Sequence, residues 1–216
     1  MRTFHQKLVI FTAVIAILVI TSAGLYQLFR IPEPLEIVTH GQPTIGSHKA
    51  KVEVVIFEDF LCPECALFND TIFPQIESEY VATNQVRYTL VPVSFIDGSK
   101  PLANAALAVY HMAPDKFFQY AQALFQSARL LQNADVGQLV DIAEAIGGID
   151  ERELKKAIAT RRYDPELERN LMLAKKLMGN GFGTPALYVN GVATSTGSFR
   201  AVQARIERAL YLGGKQ

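Results

Sequence analysis

Apolar and polar residues divide the chain into stretches of different character. Leu8 to Phe29 is uncharged and mostly apolar, with Arg2 and Lys7 ahead of it and Arg30 behind it. At about 1.5 Å per helical residue it is long enough to cross a hydrocarbon core of roughly 30 Å. Basic residues ahead of such a span hold the N-terminus in the cytoplasm and export the rest of the chain. A cleaved signal peptide competes with this anchor. Leu8 to Ile20 has the length of an h-region, and Thr21-Ser22-Ala23 offers small residues for cleavage after Ala23. The apolar run continues past that point through Leu25 and Phe29, which favours the uncleaved anchor. Either way the remainder is exported to a compartment where disulfides persist.

From Ile31 to Ala50 the periodicity lapses, and Pro32, Pro34, Gly41, Pro43 and Gly46 mark a linker or extended arm. His40 and His48 read there as solvated loop residues. Lys51 to Phe57 is almost continuously apolar and rich in β-branched residues, the pattern of a central strand. A helical pattern comes next, to about Tyr80, with Pro74 kinking or splitting it. Val86 to Val93 reads as a second strand, ended by Pro92 and Asp97-Gly98. Strand, helix, strand makes a βαβ unit with parallel strands.

Helical periodicity then takes over from Ser99 to Gly179. Ser99 with Pro101 opens a helix to Met112, Asp115 a second to about Arg129, and a third runs from about Ala134 to Ile146. Asp150 with Glu153 gives a capping-box pattern for a fourth, and Asp164-Pro165-Glu166 caps a fifth. His111 among alanines reads as a packed or half-exposed helix residue, and Phe117, Phe118, Tyr120, Leu124 and Phe125 as core. Beyond Gly183-Thr184-Pro185, Ala186 to Val189 is a strand and Asn190-Gly191 a tight hairpin turn. Val192 to Thr196 is a short edge strand, and Ser198 caps a last helix to about Leu212. The organisation is therefore 1–30 membrane anchor or signal peptide, 31–50 linker, and 51–216 an α/β domain with a helical insertion at about 99–180.

The 216 residues are half hydrophobic, with 21 basic and 21 acidic side chains and zero formal net charge. That suffices for one domain with a substantial core, and it gives no pull toward nucleic acid.

Candidate chemistry centres on Cys62-Pro63-Glu64-Cys65, directly after the first strand of the domain and at the start of a helix. The chain has 2 cysteines, and their spacing puts both sulfurs near one helix end. There the unpaired N–H groups and the macrodipole favour a thiolate, which is both nucleophile and leaving group. Pro63 presets the turn and needs no N–H partner. The alternatives are half of a zinc site and a structural disulfide. Zinc needs four ligands, and no second cysteine pair or His pair at ligand spacing accompanies this one. A short-loop disulfide constrains the unfolded chain little. A redox centre is the better reading, and no metal is expected.

Cys-Pro-x-Cys at the end of a Phe-rich strand, a helical block, then Gly183-Thr184-Pro185-Ala186-Leu187-Tyr188-Val189-Asn190-Gly191 resembles the DsbA-like branch of the thioredoxin superfamily. The resemblance covers about Val52 to Leu212. It implies a thioredoxin-like fold with the helical insertion between its βαβ and ββα halves. It also implies that Cys62 is the attacking thiol, Cys65 the resolving one and Pro185 a cis-proline facing them, with Thr184 offering backbone groups to an extended substrate.

Two departures from the family pattern concern tuning. Relatives often carry an acid six residues before the first cysteine, where this chain has Ile56. Alternation puts Glu58 on the same face, so either Glu58 takes that place or Glu58 and Asp59 are solvated loop residues. Glu64 stands where a thiolate-stabilising histidine is common, and its charge is expected to raise the Cys62 thiol and weaken the oxidant.

The expected function is an extracytoplasmic thiol:disulfide oxidoreductase acting mainly as an oxidase. Its clients would be exported proteins with cysteine pairs, a membrane redox partner would recycle the pair, and no cofactor is needed beyond it. A reductase or isomerase of the same fold, a non-catalytic binding or chaperone module, and a metal chaperone are the rivals.

Overall fold

The computed structural model describes residues 2–29, 33–128, 131 and 134–213. Arg30, Ile31, Pro32 and Arg129, which the sequence assigns to a flank, the linker and a helix end, lie outside them. The chain forms two compact units, one up to Glu33 and one from Pro34 onward. The first contains α1 (Arg2–Phe29), whose window Val9–Tyr26 is long and apolar enough to cross a membrane.

In the second unit a five-stranded sheet has the order β1-β3-β2-β4-β5. The strands are β1 (Thr44–Ile45), β2 (Val52–Glu58), β3 (Val86–Pro92), β4 (Ala186–Val189) and β5 (Val192–Thr194). β2 and β3 run parallel from Val52↔Val86 to Glu58↔Pro92, and β4 is antiparallel to β2, with Phe57 opposite Ala186. β2 is central, between β3 and β4, and both of its faces are buried, which explains its almost continuously apolar run. Val54 and Ile56 join the larger core, whereas Val55 and Phe57 join a smaller one on the opposite face.

Over the larger core lie α2 (Pro63–Thr71), α3 (Phe73–Ile76) and α9 (Phe199–Gly213). The helical block adds α4 (Lys100–Met112), α5 (Phe117–Ser127), α6 (Val136–Ile146) and α7 (Glu151–Ala159). The helix after the first cysteine is split before Pro74, as the sequence suggests. Phe73 and Tyr88 meet at 4.9 Å between ring centroids, and Phe60 and Phe125 at 4.8 Å. The last helix of the block, α8 (Asp164–Met178), covers the opposite face, with Ala174 in the smaller core beside Val55, Phe57 and Tyr188. The inserted block therefore clasps the sheet from both sides.

Local details differ from the sequence reading. From Pro34 on, the stretch read as a linker or extended arm is an arm, and it is laid on the domain. The Leu35 N–H donates to the Gly191 carbonyl at 2.9 Å, β1 pairs with β3, and Gln42 and Asn170 exchange amide hydrogen bonds. A two-residue strand is too short to show a period. Gly46 allows the close approach: a Cβ there would lie 2.4 Å from the Val86 carbonyl oxygen. Asp150 caps α7 as expected, and Asp135 with Gln138 forms a capping box on α6. Asp164 does not cap α8: Tyr163 holds that position, and the Asp164 carboxylate accepts from Asn104 Nδ2 at 2.8 Å. His111 is bonded to Glu166 at 2.9 Å and stacked on Tyr163, a link between α4 and α8.

Candidate active site

β2 delivers the chain at Glu58, and Asp59-Phe60-Leu61 turn it into α2. Cys62 is the N-cap of that helix, in extended conformation at φ −76° and ψ 118°, and Pro63 opens the first turn. Cys65 lies three residues on, on the same side of the helix, and both thiols are free. Cys65 is 0% exposed and Cys62 retains 6% of its surface, so one sulfur is reachable and the other is sealed beneath it.

The two thiols are displaced in opposite directions. Cys62 is pulled down from 9.0 to about 6, first by the hydrogen bond from the Cys65 thiol, then by Thr184 and by the backbone N–H groups of Cys65 and Glu64. Burial works against this and is outweighed. Cys65 is pushed far up, chiefly by burial, and further by the bond it gives to Cys62 and by the charge of Glu58. The pair is thus built to hold one thiolate and one thiol.

Glu64 acts otherwise than its charge suggests. Its side chain is exposed, and its carboxylate is not among the groups that shift Cys62, whereas its N–H favours the thiolate. The expected upward shift is replaced by a downward one because a solvated charge is screened while a helix-end N–H is fixed beside the sulfur.

Glu58 and Asp59 are not solvated loop residues. Each is 0% exposed. Glu58 is still in register with β3, opposite Pro92, and alternation turns it toward the larger core, beneath the cysteines. Its Oε1 accepts from Asn69 Nδ2 at 2.8 Å, and the same Nδ2 reaches the Cys65 carbonyl at 2.9 Å. Oε2 has no hydrogen-bond partner among the described residues. Burial pushes this carboxyl from 4.5 to about 8, against the Asn69 bond, and the Cys62 charge adds to the rise. Glu58 is therefore a buried acid that keeps its proton near neutral pH and senses both sulfurs. Tyr88, also buried and without a described partner for its hydroxyl, is held well above its ordinary range by burial and then by the charges of Glu58 and Cys65.

From the other side the chain enters β4 through Thr184-Pro185, whose peptide bond is cis. The Cys62 Sγ lies 3.4 Å from the Thr184 carbonyl oxygen and donates to it. The buried Thr184 hydroxyl has no partner among the described residues and favours the Cys62 thiolate when it forms. The fold thus gathers two stretches far apart in sequence, Glu58 with Cys62, Pro63, Glu64 and Cys65, and Thr184 with Pro185, at one end of the central strands.

Sequence reasoning missed Asn69 and the work of Asp59. Asn69 is four residues after Cys65 and shares its helix face with Phe68, so an amide on an otherwise apolar face was the available signal. Asp59 Oδ1 accepts from the Leu61 N–H. Its Oδ2 takes the N–H groups of Phe95 and Ile96 and the Ser99 hydroxyl, at 2.9 to 3.0 Å. It ties the β3–α4 loop to the cysteine loop, a pairing no local pattern announces.

A family model described as thioredoxin matches residues 38–208. The chain belongs to the thioredoxin family. Within that family it is similar to the disulfide bond formation protein D of Bacillus subtilis (strain 168), 31% identical over 174 residues that cover 79% of this chain and 78% of that protein. Among solved structures, oxidised BdbD from Bacillus subtilis superposes with a TM-score of 0.75 at 29% identity, covering 84% of this chain and 97% of that one. DsbA from Chlamydia trachomatis gives 0.75 at 28% identity, covering 84% and 98%. With the cysteine pair at the first turn of α2, this thioredoxin-family chain is a DsbA-like thiol:disulfide oxidoreductase.

Proposed function

We propose that the chain donates disulfides to exported proteins, with its domain outside the cytoplasmic membrane and α1 as its tether. The observation that supports the oxidising direction is the low thiol of Cys62. Stabilising that thiolate stabilises the reduced enzyme, and a stable reduced form makes the disulfide a stronger oxidant.

In this reading a client thiolate attacks Cys62 Sγ of the Cys62–Cys65 disulfide. The client–Cys62 bond forms, the Cys62–Cys65 bond breaks, and Cys65 leaves and takes up a proton. Glu58, protonated near neutral pH and coupled to both sulfurs, is the buried proton store for that step, with Asn69 joining it to the Cys65 backbone. A second client thiolate then attacks the client sulfur of the mixed disulfide, and Cys62 departs as the thiolate that Thr184 and the helix N–H groups favour. The client has lost two electrons and the enzyme has gained them. A membrane redox partner then takes up these electrons and restores the disulfide. Pro185 keeps the β4 entry against Cys62, and Thr184 contacts the attacked sulfur.

Equilibration of the full chain with glutathione buffers tests the direction. The expected potential lies well above the −270 mV of thioredoxin. A value at or below it would point to a reductase, and a pair that neither oxidises nor exchanges would leave a binding module.

A further inference from the structure

Among the described residues five buried side-chain atoms lack a hydrogen-bond partner: Glu58 Oε2, Arg87 Nε, Tyr88 Oη, Asn104 Oδ1 and Thr184 Oγ1. Two of them share a face of the sheet. Glu58 and Tyr88 stand on the parallel strands β2 and β3, and both turn toward the larger core, Tyr88 between Val86 and Leu90. The charge of Glu58 acts on the Tyr88 hydroxyl more strongly than those of Cys65 and Glu77 do. Phe73 at 4.9 Å and Phe118 at 6.2 Å between ring centroids hold the tyrosine ring in place.

The bonds already made decide which oxygen of Glu58 carries the acid proton. Asn69 Nδ2 lies 2.8 Å from Oε1 and 2.9 Å from the Cys65 carbonyl oxygen, which can only accept, so Nδ2 donates to both. Oε1 is therefore an acceptor, and the proton sits on Oε2. A tyrosine hydroxyl can accept from a carboxylic acid and donate to a carboxylate, so it suits that oxygen before and after the proton leaves. We infer that the Tyr88 hydroxyl serves Glu58 Oε2 as its second hydrogen-bond partner during exchange, and so positions the proton that Glu58 gives to Cys65. No direct bond joins the two atoms at rest, with both thiols free; the bond belongs to the ionised carboxylate. In that step the O–H bond of Glu58 breaks, the proton joins the Cys65 thiolate released from the disulfide, and the negative charge stays on Oε2. Tyr88 keeps its own proton and turns it toward that charge. It is a positioning residue, acting through Glu58. The other titratable groups that act on the two are Cys62 and Cys65 on α2 and Glu77 just after α3, and each of these is anionic when ionised. Amide and hydroxyl dipoles must therefore carry the buried carboxylate. The inference rests on the proton store proposed above.

Tyr88→Phe removes the hydroxyl and keeps the ring. Ordinary carboxyls are ionised at pH 7, so the carboxylic-acid infrared band of the reduced full chain in detergent micelles isolates buried acids, and Glu58→Gln assigns the part due to Glu58. The midpoint at which that band is lost with rising pH should lie roughly one unit higher in Tyr88→Phe than in the native protein. Mixed-disulfide formation between the oxidised chain and a peptide with one cysteine should slow roughly 3-fold at pH 7, read by mass spectrometry. Glu58→Gln should slow it as well, and adding Tyr88→Phe to that variant should slow it no further. An unmoved infrared midpoint, or slowing by Tyr88→Phe that persists in the Glu58→Gln background, would overturn the assignment of Tyr88 while the proton store stands. If Glu58→Gln leaves the rate at its native value, the proton store itself falls and the role of Tyr88 with it.

Discussion

At the scale of single residues, the side chains that set the chemistry contribute through burial or through a directed hydrogen bond. Thr184 offers its hydroxyl to the Cys62 sulfur, so Thr184→Val should raise the Cys62 thiol by roughly one unit. One unit is worth about 30 mV in a two-electron couple, and the variant should be less oxidising by up to that amount. Thiolate absorbance against pH and glutathione equilibration read the two effects. Glu58 acts on stability as well. Its folded pKa, near 8, lies above the ordinary 4.5, so the folded chain keeps a proton that the unfolded chain releases between those values. Stability therefore falls as pH rises through that window. Cys62 has the opposite sign: its folded value near 6 lies below 9.0, and its contribution is complete above 9 and lost as pH falls through 6. Comparing variants at the same pH largely cancels the Cys62 part. Glu58→Gln keeps an acceptor for Asn69 and removes the titration. Its stability relative to the native reduced protein should grow by about 2–4 kcal/mol between pH 5 and pH 9, read by urea unfolding. A gain that does not vary with pH would rule out a buried titrating acid.

At the scale of elements, the site depends on two loops being held to the end of β2. Asp59 does this with four accepted hydrogen bonds that join the cysteine loop to the loop ahead of α4. Asp59→Ala strands those donors, two of them part-buried backbone N–H groups of the β3–α4 loop and one the buried Ser99 hydroxyl. It should cost about 2–4 kcal/mol in urea unfolding. The cysteine helix contributes its open N-terminal turn, which is why Glu64 matters through its backbone. Glu64→Gln should accordingly leave the Cys62 titration close to that of the native protein, and a drop of a full unit would show that the exposed carboxylate does reach the sulfur.

At the scale of the whole molecule, the sheet is the device that assembles the site. Parallel β2 and β3 put the cysteine loop and the β3–α4 loop at the same end. Antiparallel β4 brings Thr184-Pro185 to that end from the far side of the helical block. α8 closes the second face. α1 forms a unit of its own, and its apolar length predicts that the full chain stays with the membrane through alkaline carbonate washing at its uncleaved mass. A mature mass lacking residues 1–23 would establish a signal peptide instead.

The parts legible from sequence alone are those whose cause is local. Period and composition mark the apolar helix, the buried strand, the split at Pro74 and the Asn190-Gly191 hairpin, because each arises from dihedral preference or from a face repeating along one segment. The spacing of Cys62 and Cys65 likewise fixes their meeting on one helical turn. Burial of an acid is another matter, since it depends on what distant segments cover. Glu58 and Asp59 are adjacent, equally charged and equally polar in the sequence. Only the packing of α2, β3 and the loop before α4 leaves Glu58 with one lone amide partner and Asp59 with a full set of donors. The arm shows the same dependence, because β1 exists by pairing with β3 and Leu35 is hydrogen-bonded to the distant Gly191. So it is with the Cys62 thiolate, whose stabilisers Cys65 and Glu64 are near in sequence but whose third, Thr184, is brought there by tertiary structure alone.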